Sequence, residues 1–182
     1  MRKLLIAGVL GTGLLAGCMG TESESVWIDG TVYVNSNTDA EKIAATTSLN
    51  QDRFSNLTTV SGPSLTYMGV RYHLTAKMQG GNTNYFVQAL AGGRNGWPRL
   101  EEAYILGWRN PIKLPNRGID VNCTSSGCNQ HETVVFPITS EQYRKGLKEG
   151  LEISLQGQVN HEFIISKGYF EGFEAVVSRA RQ

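Results

Sequence analysis

The 182-residue sequence predicts an α+β fold, a mainly antiparallel sheet with two or three peripheral helices. Three observations carry that expectation. Val70, Tyr72, Leu74, Ala76 and Met78 alternate with Arg71, His73, Thr75 and Lys77, the period-2 signature of a strand with one buried and one wet face. Thr139-Ser140-Glu141-Gln142 spells a capping box, the start signal of a helix. Tyr169, Phe173, Val176, Val177 and Ala180 recur at helical spacing, giving a C-terminal amphipathic helix over residues 168–180. A β-sandwich with short helical connections is the competing architecture.

Residues 26–34 are β-branched and aromatic about Asp29-Gly30, so they read as one strand or as two short strands joined by that turn. Residues 35–39 are turn chemistry, and 39–47 read as a short helix capped by Thr38 or Asp39, with Ile43 and alanines as its apolar stripe. Ser61-Gly62-Pro63-Ser64 is a turn. After strand 70–78, Gly80-Gly81-Asn82 reverses the chain into an antiparallel partner over 85–91. Residues 92–98 are a loop, 103–108 a strand, and 110–118, with Pro111, Pro115 and Gly118, a loop or edge. Residues 131–138 form a strand whose Pro137 marks an edge or exit. The helix over 141–148 turns Tyr143 and Leu147 inward, sets Glu141 four residues before Lys145, and stops at Gly150. Residues 151–158 alternate as a strand, and a turn over 157–160 leads into its hairpin partner, 161–165.

The N-terminus carries a different kind of signal. Arg2 and Lys3 precede an apolar run over residues 4–15, broken only by small residues and Thr12, and Leu15-Ala16-Gly17-Cys18 follows. That order is a basic region, an apolar region and a small-residue cleavage site. The run is shorter than the roughly 20 apolar residues a membrane span needs. The four residues ending at Cys18 resemble the lipobox of bacterial lipoproteins. The resemblance covers about a tenth of the chain. It implies a signal peptide over residues 1–17, cleavage before Cys18, and a diacylglycerol thioether on the Cys18 thiol, with acylation (palmitate is the usual chain) of the new amino group. Two or three acyl chains anchor durably where one does not. Met19, rather than Asp, follows the cysteine, which within that class implies sorting to the outer membrane, facing the periplasm. Residues 18–25 then read as lipidated cysteine and tether, and 26–182 as a single globular domain.

Of the 17 basic residues, Arg2 and Lys3 fall in the signal, leaving 15 against 16 acids. With no basic block, nucleic-acid binding is not expected. Cys123 and Cys128 remain after Cys18, and an exported chain would pair them as a disulfide across Thr-Ser-Ser-Gly. The alternative is a metal site that adds His131 but lacks an evident fourth ligand; no metal or other cofactor is expected. His131-Glu132 and His161-Glu162 are not dyads, because adjacent residues on a strand point to opposite faces. No G-x-S-x-G motif occurs, and Glu101-Glu102 is the only acidic doublet, so no catalytic constellation is visible.

The most suggestive surface is residues 94–116, which gather Arg94, Trp97, Arg99, Trp108 and Arg109 in loop-like sequence. Trp and Arg anchor protein interfaces, and Trp also stacks on sugars; equally, the two Trp plug a core beneath the loop. Two expectations follow. The first is a lipid-anchored, non-catalytic envelope protein that presents this face to a periplasmic protein partner in an accessory or assembly role. The second is a protein that binds or processes cell-wall glycans or small ligands.

Overall fold

The computed structural model describes residues 26–28, 31–33, 39–93, 97–115, 117–124 and 127–182. The elements run β1 (Val26–Ile28), β2 (Thr31–Tyr33), α1 (Ala40–Thr46), β3 (Ser48–Asp52), β4 (Leu57–Ser61), β5 (Leu65–Tyr67), β6 (Val70–Gln79), β7 (Asn82–Gly93), β8 (Glu102–Ile105), β9 (Ile112–Lys113), β10 (Arg117–Thr124), β11 (Gly127–Ile138), α2 (Ser140–Glu149), β12 (Leu151–Gln156), β13 (His161–Ile165) and α3 (Lys167–Ala180). The α+β expectation holds. All pairings are antiparallel. A large sheet has the order β10-β11-β7-β6-β4-β3, with β5 also on β6, and a smaller one has the order β13-β12-β8-β9; β1 and β2 pair with each other.

The alternation read in β6 sets the layers. Val70, Tyr72, Leu74, Ala76 and Met78 are buried together with Val87, Ala89 and Ala91 of β7 and Val134 and Phe136 of β11. The small sheet supplies the facing layer. Phe163 stacks on Tyr72 with centroids 5.0 Å apart, and the Tyr72 hydroxyl donates to the Ile164 carbonyl at 2.8 Å. Helix α3 fills the rest with Tyr169, Phe170, Phe173, Val176 and Val177. It approaches α1 closely: a Cβ on Gly172 would lie 2.2 Å from the Ala40 carbonyl oxygen.

The caps behave as their chemistry dictates. Asp39 accepts from the Glu41 N–H to start α1, and Thr139 and Gln142 form both halves of the box that starts α2. Lys145 pairs with Glu149 at 3.4 Å rather than with Glu141. Its ammonium also donates to the Leu106 carbonyl, which draws it toward the C-terminal end of the helix.

Several strands escape the hydropathy pattern. β3, β4 and β5 carry Ser, Asn, Gln and Thr with little alternation, yet they complete the large sheet beyond β6. β4 and β5 lie on the same flank of β6, pairing with its 75–78 and 70–72 stretches, and Gly62-Pro63-Ser64 interrupts them as the turn reading expects. The Tyr169 hydroxyl closes that gap, donating to the Pro63 carbonyl at 2.7 Å and accepting from the Leu74 N–H at 3.2 Å. Gly62 has to be glycine there, because a Cβ would sit 2.3 Å from that hydroxyl. β7 runs on to Gly93, into the expected loop 92–98; the strand expected over 103–108 ends at Ile105, and 110–118 contains β9 and the start of β10.

Candidate functional site

The structure separates the residues that the Trp/Arg-rich stretch holds together in sequence. Trp97 and Arg99 precede β8 and pack on the turn between β12 and β13. The Arg99 guanidinium carbon lies 5.0 Å from the Trp97 ring centroid, and the Pro98 carbonyl accepts from the Gln158 N–H at 2.8 Å. With its amide oriented to satisfy both neighbours, Gln158 meets the Trp97 carbonyl and an Arg99 nitrogen, each at 3.2 Å. Trp108 lies beyond the opposite end of β8, against α2, with the Lys145 ammonium 4.9 Å from its ring centroid. Each Trp is partly buried under its own cation, so the single Trp face expected from sequence splits in two. Arg109 is exposed, and Arg94 lies outside the described residues.

The histidines do not converge. His73 and His131 are on the outer face of the large sheet, opposite Gln88 and Gly92 of β7, so the two partners differ by four residues, or about 13 Å along the strand. His161 begins β13 in the other sheet. Burial holds His73 and His161 below the ordinary imidazole range. Among the described residues no group of His, Cys, Asp and Glu is placed to hold a metal.

Two surfaces bear on function. One is a shallow groove of about 320 Å³ on the outer face of the small sheet, where Tyr104, Trp108, Glu152, Ser154 and Glu162 meet. At its margin Lys113, with help from the Tyr104 hydroxyl at 2.7 Å, holds the Glu102 carboxyl below the usual range.

The other surface is the β10–β11 hairpin. Cys123 and Cys128 are directly opposed in it and joined by a disulfide, so the metal alternative for these thiols falls away. What the sequence presents as a small loop is the tip of a long ladder that runs back to Arg117 opposite Val134. Among the described residues β7 flanks β11 only from Gln130 onward, so there the tip stands beyond the sheet as two strands. Ile119 and Val121 share the core-facing side with Val134 but lie past the layer that covers it, and are 53% and 52% exposed.

The base of the hairpin is latched. Glu132 is fully buried, and one carboxylate oxygen accepts from the Leu100 N–H at 3.0 Å. Arg117 donates to the Leu100 carbonyl at 3.2 Å and stands 3.7 Å from the other Glu132 oxygen.

The ladder fixes which backbone groups of β10 are free. Directly opposed residues alternate between hydrogen-bonded pairs, with Cα atoms about 5.5 Å apart, and non-hydrogen-bonded pairs at about 4.5 Å. Cys123 and Cys128 stand at 4.0 Å, the second kind. Arg117, Ile119 and Val121 share their parity and therefore aim their N–H and C=O groups away from β11, as Cys123 does. The same alternation carried across β11, β7 and β6 turns the backbone of Leu74 toward β4, where its carbonyl accepts from the Gly62 N–H at 2.9 Å. β10 ends the strand order, so among the described residues nothing pairs with those outward groups. Protein edges are ordinarily blunted by charged side chains, above all Lys, by Pro or by a bulge; the charges on β10 are Arg117, at the latched base, and Asp120. Residues 117–124 contain no Lys or Pro, and their register with β11 is unbroken.

No protein-family model, no curated protein and no solved structure matches the chain. The outer edge went unread, although the sequence carries a signal for it: Ile119-Asp120-Val121-Asn122 alternates, and two cysteines with four residues between them suit a hairpin tip.

Proposed function

We propose that this is a lipid-anchored cell-envelope protein whose non-catalytic domain takes up a protein partner by strand addition along β10, in an accessory or assembly role. The observation that carries the reading is the open edge, a row of outward N–H and C=O groups beside exposed Ile119 and Val121, with a disulfide at one end and a buried latch at the other. Strand addition uses such main-chain groups for affinity and alternate side chains for selectivity. The anchor rests on the Cys18 motif, which lies outside the described residues together with the rest of residues 1–25. Attachment on this reading is through the lipid on Cys18; no helix among the described residues is long and apolar enough to cross a membrane.

Val121→Pro tests the edge. The Val121 N–H points outward, so proline there deletes an edge donor and leaves the β11 ladder intact. The expected outcome is loss of the crosslinked partner from tagged, lipidated protein in the membrane fraction, with the melting temperature nearly unchanged. Retention of the partner would rule out the edge, and recovery of wild-type protein in the soluble fraction would rule out the anchor.

The groove at Tyr104 and Trp108 favours a second reading, binding of a cell-wall glycan or small ligand. A screen of peptidoglycan fragments that leaves Trp fluorescence unmoved would dismiss it.

A further inference from the structure

We infer that the strand seated on β10 is β10 of a second copy of this chain, paired antiparallel about a two-fold axis at Val121. The inference rests on the edge reading above and names the occupant of that edge.

A two-fold axis normal to a continuous sheet keeps each side chain on its own face, so it must pass through a residue position. Three positions are central enough to consider. An axis at Asp120 sets Asp120 against its own copy in a non-hydrogen-bonded pair, where side chains are closest and like charges repel. An axis at Ile119 brings only residues 117–121 into register and sets Arg117 against Val121. An axis at Val121 overlaps the strands from residue 118 to residue 124. It makes Val121 and its copy a hydrogen-bonded pair, since both aim their backbone groups outward. Ile119 then faces Cys123, and Asp120 faces the uncharged Asn122. The two copies of Ile119 and Val121 join into one apolar strip, so each covers part of the other's exposed surface. This register satisfies the outward groups of Ile119, Val121 and Cys123 and opposes no like charges.

The register makes a prediction that no other register shares. Asn122→Asp puts two acidic pairs across the axis and is expected to weaken the dimer roughly two- to thirtyfold, while Asn122→Lys strengthens it over a similar range, read by light scattering of the full chain in detergent across a concentration series. An axis at Asp120 would place residue 122 opposite Gly118, and both substitutions would be silent.

The deciding experiment places a photo-crosslinking benzophenone amino acid at position 121 in intact cells. A product of twice the chain mass, lost when proline replaces Ile119 in the same chain, is the expected result. A product of another mass would overturn self-pairing while leaving strand addition standing. No product, with the protein folded and membrane-bound, would overturn both.

Discussion

At the scale of single residues, two buried polar groups hold the sheets where apolar packing alone would leave a gap. The Tyr169 hydroxyl bridges the Pro63 carbonyl and the Leu74 N–H inside the core, and burial pushes its phenol well above the ordinary range. Tyr169→Phe strands one acceptor and one donor, a cost of about 1–3 kcal/mol. For a chain of this size, that lowers the melting temperature by roughly 2–4 °C per kcal/mol, and thermal denaturation followed by circular dichroism checks it. Glu132 is the second such group. A strand position that reads as polar in His131-Glu132 is fully buried, and it takes a backbone N–H from a loop more than thirty residues away. Neither contact was legible beforehand, because periodicity reports which face a residue occupies and says nothing of which distant backbone atom arrives there.

Among elements, legibility tracks how far each one's stability is local. α2, α3, β6 and the β12–β13 hairpin were all readable, since caps and alternation are written in contiguous residues. β3, β4 and β5 were not, because their polar sequences become strands only by pairing outward from β6. β10 lay hidden for the opposite reason: its Ile119 and Val121 alternate, but the cysteines beside them read as a loop. The hairpin they close makes its own prediction. Replacing Cys123 and Cys128 by Ser removes a small ring, so the global cost is about 2 kcal/mol at most. The main effect is expected at the tip, where no third strand supports the ladder. Amide exchange of Asn122 and Thr124, whose β11 partners Asn129 and Gly127 lie beyond the reach of β7, should quicken severalfold while that of β6 and β7 changes little, as measured by hydrogen-exchange mass spectrometry. Equal acceleration throughout would mean that the bond supports the whole fold rather than the finger.

For the whole molecule, stability against pH follows from the histidines. Burial holds His73 and His161 below 6.5 in the folded state, whereas they regain the ordinary value on unfolding. The unfolded chain then binds more protons, so stability is full above about pH 6.5 and falls as the pH drops through that value toward the lower folded ones. The carboxylates held low, Asp52 beside Ser55 and Glu102 beside Lys113, weaken the fold only further down, below their ordinary values of 3.8 and 4.5. Urea midpoints at pH 7.5 and 5.5 are expected to differ in the wild type and to differ less in His73→Gln. A drop of the same size in that variant would assign the effect elsewhere.

The latch at Glu132 also has a mechanical meaning. A load applied to the hairpin tip cannot peel β10 from β11 there, because the disulfide ties the two strands together. The pull passes to the base, where Arg117 and Glu132 hand it to Leu100 and so to the loop that rests on the small sheet. β11 meanwhile loads its ladder with β7 along the strand direction, from Gln130 to Ile138, so many hydrogen bonds resist together. A domain gripped along β10 would bear tension across both sheets at once.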